Sequence, residues 1–319
     1  GFYEWIDFNE NGVQELDEFV IAKFQDQAIY VRVLLPTVNF VRTNQNKWSQ
    51  TLNIDASSWH NQTGFKKVLS HFSNQTYFLI DSKTKREGSG FELNPFDKDD
   101  DNLLGLDQNF KNSFFFNRGL QRFSLVYTYL NFRKKTIYTF GDQEINSYAH
   151  QCQFIHKLAS LWLFNADAGL RNNLSQSKSY TNRNYDLDVF NIGPKLSYLR
   201  DKNTRLEFYY TFKDKKNTIG DEETVQMHLF GVNFQWAKKQ SFSCNANANL
   251  YLNDFQGQTN SPVAYQMLEG LQPGTNMTWL LGFQKRLTSF LDLNIHYTGR
   301  SSEESKTIHT GNIQLRATF

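Results

Sequence analysis

The tightest constraint on this chain is a two-residue rhythm, clearest at its C-terminal end. From Leu291 the apolar positions are Leu291, Leu293, Ile295 and Tyr297, with Asp292, Asn294, His296 and Thr298 between them. A polar stretch over 299–310 follows, and the rhythm resumes with Ile313, Leu315, Ala317 and Phe319 against Gln314, Arg316 and Thr318. Successive side chains of a strand point to opposite faces, so this is a hairpin with one apolar and one polar face.

The same rhythm runs back through most of the chain. It predicts strands at about 109–117, 120–131, 143–157, 160–172, 185–199, 204–213, 225–236, 241–252, 275–286, 290–300 and 310–319. Earlier strands are read at 29–35, through Trp48, Leu52 and Ile54, at 76–80 and at 91–96. Residues 65–72 fit a short helix, and 97–101 an acidic loop. From residue 109 onward the connections alternate in length. Short ones fall at 118–119, 158–159, 200–203, 237–240 and 287–289, and long ones at about 132–142, 173–184, 214–224, 253–274 and 301–309.

One face carries Trp162, Phe164, Ala166, Ala168 and Leu170; Leu206, Phe208, Tyr210 and Phe212; and Met277, Trp279, Leu281 and Phe283. The other carries Asn165 and Asp167; Glu207 and Thr211; Asn245, Asn247 and Asn249; and Thr278 and Gln284. A soluble sandwich turns its apolar face inward, whereas a membrane barrel turns it toward lipid. Length separates the two. These strands run about 10–13 residues, against ~5–6 in soluble sheets and ~9–11 for a tilted membrane strand. Short turns on one side and long loops on the other is the outer-membrane asymmetry. The expected fold is therefore all-β: an antiparallel up-and-down transmembrane β-barrel of about 14 strands (12–16), closed because lipid forbids open edges. Trp162, Tyr198, Trp236, Trp279, Tyr297 and Phe319 suit interfacial girdles.

Bulk properties agree. The 319 residues hold 29 Phe and 15 Tyr but only 5 Pro. Mean hydropathy is −0.59, and no apolar run approaches the ~18 residues of a spanning helix. The net charge of +2 gives no electrostatic case for nucleic acid. Cys152 and Cys244 make no disulfide framework.

Residues 1–27 differ in character from 28–319, where the barrel is expected. Asp7, Asn9, Asn11, Val13 (through its carbonyl), Glu15 and Glu18 occupy positions 1, 3, 5, 7, 9 and 12 of a calcium-loop spacing, with Gly12 at position 6. Oxygen ligands at this spacing wrap a hard cation, so Ca²⁺ is the cofactor to test. The competing reading is a plain Asn-Gly turn.

The terminal GNIQLRATF of residues 311–319 resembles the closing strand of Gram-negative outer-membrane proteins. That resemblance implies that Phe319 is the C-terminal signal read by the barrel-assembly machinery. The segments YEWIDFNENGVQELDEF (3–19), LEGLQPG (268–274) and IHTG (308–311) resemble large envelope proteins of Bacteroidota, the Flavobacterium and Bacteroides relatives. This likeness implies that the chain is the C-terminal part of a longer protein. An initial Gly in place of Met and the lack of a visible signal peptide agree.

Catalytic patterns are sparse. The seven histidines sit in no nucleophile-elbow motif, and none has zinc spacing. His296 alternates onto the polar face, where a hydrogen-bonded lumen histidine is the bland reading and a catalytic one the sharp reading. Asp167, Glu207, Asp292 and Arg316 are expected as lumen charges. They either line an aqueous pore or pair across a plugged interior. The loop 253–274 either folds inward, binds a partner or forms an ordinary lid. The function expected is that of a non-enzymatic outer-membrane anchor, or an accessory of surface-protein export and assembly. Envelope lipoproteins or secretion components are its candidate partners, and a passive porin-like channel is the alternative.

Overall fold

A computed structural model describes residues 2–33, 41–86, 102–119, 122–138, 141–238, 241–303 and 305–318. Three short strands, β1 (Phe2–Trp5), β2 (Phe19–Ile21) and β3 (Tyr30–Val31), form an antiparallel sheet in the order β2-β1-β3. Among the described residues thirteen long strands follow. They are β4 (Thr43–Asp55), β5 (Phe72–Lys85), β6 (Leu103–Phe116), β7 (Phe123–Tyr138), β8 (Gly141–Lys157), β9 (Trp162–Gln176), β10 (Tyr185–Asp201), β11 (Thr204–Asn217), β12 (Thr224–Lys238), β13 (Phe242–Gln256), β14 (Gly274–Thr288), β15 (Leu291–Ser302) and β16 (Ser305–Ala317). Each pairs antiparallel with its neighbours in sequence, so the sheet is a single up-and-down meander. Two short helices, α1 (Phe65–Leu69) and α2 (Pro262–Met267), lie in connections.

The registers reproduce the two faces read from sequence. Phe208 stands opposite Leu196 and Val232, and Ala248 opposite Val232 and Trp279. On the other face Glu207 lies opposite Ser197 and Asn233. The apolar face is open to the surroundings: Phe208 is 45% exposed, Leu281 43% and Leu315 61%. Neither Trp279 nor Leu293 is buried in a core. The strands run from 12 to 17 residues. A 15-residue strand tilted ~40° rises about 38 Å, more than the ~30 Å hydrocarbon layer, so its ends stand clear of lipid.

Aromatic rings gather near both rims. At the short-turn end Trp162 meets Tyr198 at 5.0 Å, and Phe242 meets Trp236 and Phe283 at 4.7 and 5.2 Å. Nearer the other end Tyr297 donates to, or accepts from, His309 at 2.8 Å, with Trp279 at 5.7 Å from the same ring. Tyr210–His228 and Tyr127–His150, both at 2.7 Å, repeat the pairing on the outer face. Each pair satisfies polar groups that lipid would leave unsatisfied. The Trp279 ring folds over Gly299, where any Cβ would collide with it.

Five expectations need correction. The stretch at 132–142 is mostly strand: β7 and β8 are separated only by residues 139–140. Likewise only 303–304 separate β15 from β16, where a loop over 301–309 was expected. Arg133 and Ser305 to Thr307 are polar but lie within strands, β7 and β16. The short-turn side carries one long connection, residues 56–71, which includes α1. Among the described residues the sheet is also not closed: β4 and β16 are its two edges. The strand expected at 29–35 is short, and β3 pairs with β1 instead of the large sheet. The strand expected at 91–96, the acidic loop at 97–101 and Phe319 lie outside the described residues.

Candidate functional site at the long-loop mouth

Two segments converge over the polar face at the long-loop end. The first is the loop between β13 and β14, residues 257–273. Ser261 caps α2, its hydroxyl accepting from the Ala264 amide at 3.0 Å, and Pro262 occupies the first turn, where its missing N–H costs nothing. The helix turns Val263, Met267 and Leu268 onto Leu187, Val225 and Met227, which form a buried cluster with them. Burying each such side chain contributes roughly 1.5–3 kcal/mol. Lys215, nearly buried, donates to the Met267 carbonyl at 2.7 Å and to Glu269 at 2.8 Å, and Lys213 reaches Glu269 at 2.6 Å. Burial alone would raise the Glu269 carboxyl, but Lys215 and Lys213 overcome it and hold it at about 2. Of the three readings of this loop, the structure shows the inward-folded one.

The second segment is the β1–β3 unit, laid across the same mouth. Arg183 donates to the Asp17 and Phe19 carbonyls, the latter at 2.8 Å, and Asn182 donates to the Asp17 carboxylate at 2.8 Å. Burial lowers the affinity of the Arg183 guanidinium for its proton, and Asp17 opposes that. Asn260 donates to the Asp7 carbonyl at 3.1 Å. The Tyr265 hydroxyl donates to Glu4 at 2.6 Å, and its pKa is pushed up by burial and by that carboxylate. On the far side Arg300 bonds Asp26 at 2.7 Å and Gln27 at 2.9 Å and stacks on Phe24 at 4.0 Å. The unit therefore touches the wall from the loop before β10 round to β15.

Below it the polar face is cross-linked. Glu207 accepts from Ser197 at 3.0 Å, Asn233 at 3.0 Å and Arg205 at 2.6 Å, with Lys195 at 3.8 Å. The Tyr209 hydroxyl donates to Asn249 at 2.5 Å and accepts from Asn247 at 3.0 Å. Asp167 accepts from Asn191 at 3.5 Å, and Asp292 pairs with Arg286 at 3.4 Å, opposite Arg316 in register. The four lumen charges thus lie on the polar face without gathering into one centre. His296 lines a cavity of about 590 Å³ with Asn247, Thr278, Thr298, Arg300 and Asn312, roofed by Lys23–Asp26. A second cavity, about 420 Å³, lies between Tyr3, Phe19 and Tyr30 of the small sheet and Gln143 and Ser175 of the wall. Among the described residues no three His, Cys, Asp or Glu side chains converge as a metal cluster.

None of the cross-mouth contacts is legible in the sequence. Arg183 and Asp17 are 166 residues apart, and no local pattern marks either as a partner.

No family model and no curated protein matches the chain. Among solved structures it is similar to the beta domain of the Bordetella autotransporter Brka, with 9% identity over 78% of this chain and 92% of that one, at a TM-score of 0.28. It is also similar to the transport unit of the autotransporter AIDA-I from Escherichia coli, with 10% identity over 87% and 88%, at 0.30. The membrane assignment rests on the sheet itself: long strands, an exposed apolar face, a hydrogen-bonded polar face and two aromatic rims. The sheet is a membrane-spanning one. β-Sheets of this kind belong to the bacterial outer membrane, and this chain is placed there.

Proposed function

We propose that this chain is a plugged outer-membrane domain that anchors or assists surface-protein assembly, without catalysis and without free passage of solutes. One observation carries the reading: the long-loop mouth is covered twice, by the β1–β3 unit and by the α2 loop. The ion pairs of Glu207 and Asp292 support it, since a water-filled selectivity lining leaves its charges facing solute. Folding into the membrane by the barrel-assembly machinery, and contact with envelope lipoproteins or secretion components, belong to the same proposal. Planar-bilayer recording tests it. The purified chain is expected to show no steady open conductance; a stable open pore at neutral pH contradicts the proposal and favours the porin-like alternative.

A further inference from the structure

The loop that joins β1 to β2 carries oxygen atoms that the plugging role leaves unexplained. Gly12, at φ +72°, makes the sharp turn, a backbone conformation that side chains with a Cβ rarely adopt. Around it the side-chain oxygens turn inward. Asp7 accepts from the Asn11 and Gly12 amides at 3.2 and 2.7 Å, Asn9 from the Asn11 amide at 3.0 Å, and Asn11 from the Val13 amide at 2.6 Å. Glu15 accepts from the Asn9 side chain at 2.7 Å. An Asn-Gly turn accounts for all of this on its own.

Glu18 is the feature that such a turn leaves unexplained. It is 1% exposed, and its Oε1 has no hydrogen-bond partner. Its other oxygen accepts from the Trp5 indole at 2.7 Å and, closing the capping box of the short turn Leu16–Glu18, from the Glu15 amide at 3.4 Å, which leaves Oε1 as the oxygen without a donor. A buried carboxylate oxygen without a donor is costly and calls for a compensating charge. Glu18 occupies the twelfth position, the one that supplies a bidentate carboxylate in calcium loops.

We infer that residues 7–18 bind one calcium ion through Asp7, Asn9, Asn11, the Val13 carbonyl, Glu15 and Glu18. The three carboxylates do not form a cluster by themselves. The set reaches a hard cation's ligand count through two amides and a carbonyl, all oxygen donors. Three negative charges face a doubly charged ion, and the two neutral amides place the affinity in the weak range of extracellular modules, ~10⁻⁴–10⁻³ M. This site does not depend on the plugging role: it would bind whether or not the lumen conducts.

Terbium tests it on the full chain in detergent, because the Trp5 indole touches a proposed ligand and would sensitise terbium emission. The expected result is saturable emission that calcium displaces and magnesium displaces far less. Trp5→Phe should abolish the emission while calorimetry still detects calcium. Glu18→Gln, nearly isosteric and so expected to fold, should weaken calcium binding at least tenfold, and Asp7→Asn should do the same independently. No saturable calcium heat up to ~10⁻² M, or wild-type affinity in both variants, would overturn the inference.

Discussion

At the scale of single residues, the chain spends its charges in pairs. Glu207 sits on the polar face with four partners, and Glu269 bridges Lys213 and Lys215 beneath α2. The second pair sets a pH dependence. Glu269 titrates at about 2 in the folded chain, below its ordinary 4.5. A depressed carboxylate adds stability that is fully present above pH 4.5 and is lost as the pH falls from there toward 2. Amide protection over 257–273, taken relative to the intrinsic exchange rate at each pH, should therefore be high at neutral pH and fall across that acid window. Glu269→Gln should show low protection already at neutral pH and lose the dependence; unchanged protection in the variant would show that the pair does not hold the loop. None of this was legible beforehand. Lys213 and Glu269 are 56 residues apart, and the sequence shows a lysine-rich strand end and a loop glutamate with nothing to join them.

At the scale of elements, most of the architecture was written locally. Strand alternation is a two-residue property, so the faces of β9, β11, β13 and β14 could be read from neighbours alone. Strand ends were harder. Arg133 pairs with Glu144 across the rim at 2.8 Å, so a charged stretch that resembles a loop is ladder. Alternation gives the strand number closely but not closure, because it fixes the faces and says nothing of how the edges meet. The face assignment makes a sharp prediction. Leu281→Arg, on the outer face, should cost ~2–4 kcal/mol near the membrane midplane. Asn165→Lys, on the polar face, should cost under ~1 kcal/mol. Urea unfolding into lipid vesicles measures both, and equal costs would contradict the assignment.

At the scale of the whole molecule, the chain is a membrane sheet turned inside out relative to a soluble one, with a small N-terminal sheet seated over its polar mouth. The plug is a long-range feature: its contacts join residues 4–27 to residues 182–300, and no periodicity announces them. The native cysteines allow the most direct test, because Cys152 and Cys244 both lie in the apolar register, opposite Tyr127 and Ala168, and Trp236 and Phe283. A nitroxide placed on either one, with the other replaced by serine, should collide with oxygen in reconstituted vesicles far more often than with a water-soluble nickel chelate. A nitroxide at Asn165→Cys, with both native cysteines replaced, should show the reverse. If the labels on Cys152 and Cys244 meet the chelate freely while that at residue 165 is shielded, the apolar face does not look at lipid and the membrane assignment fails.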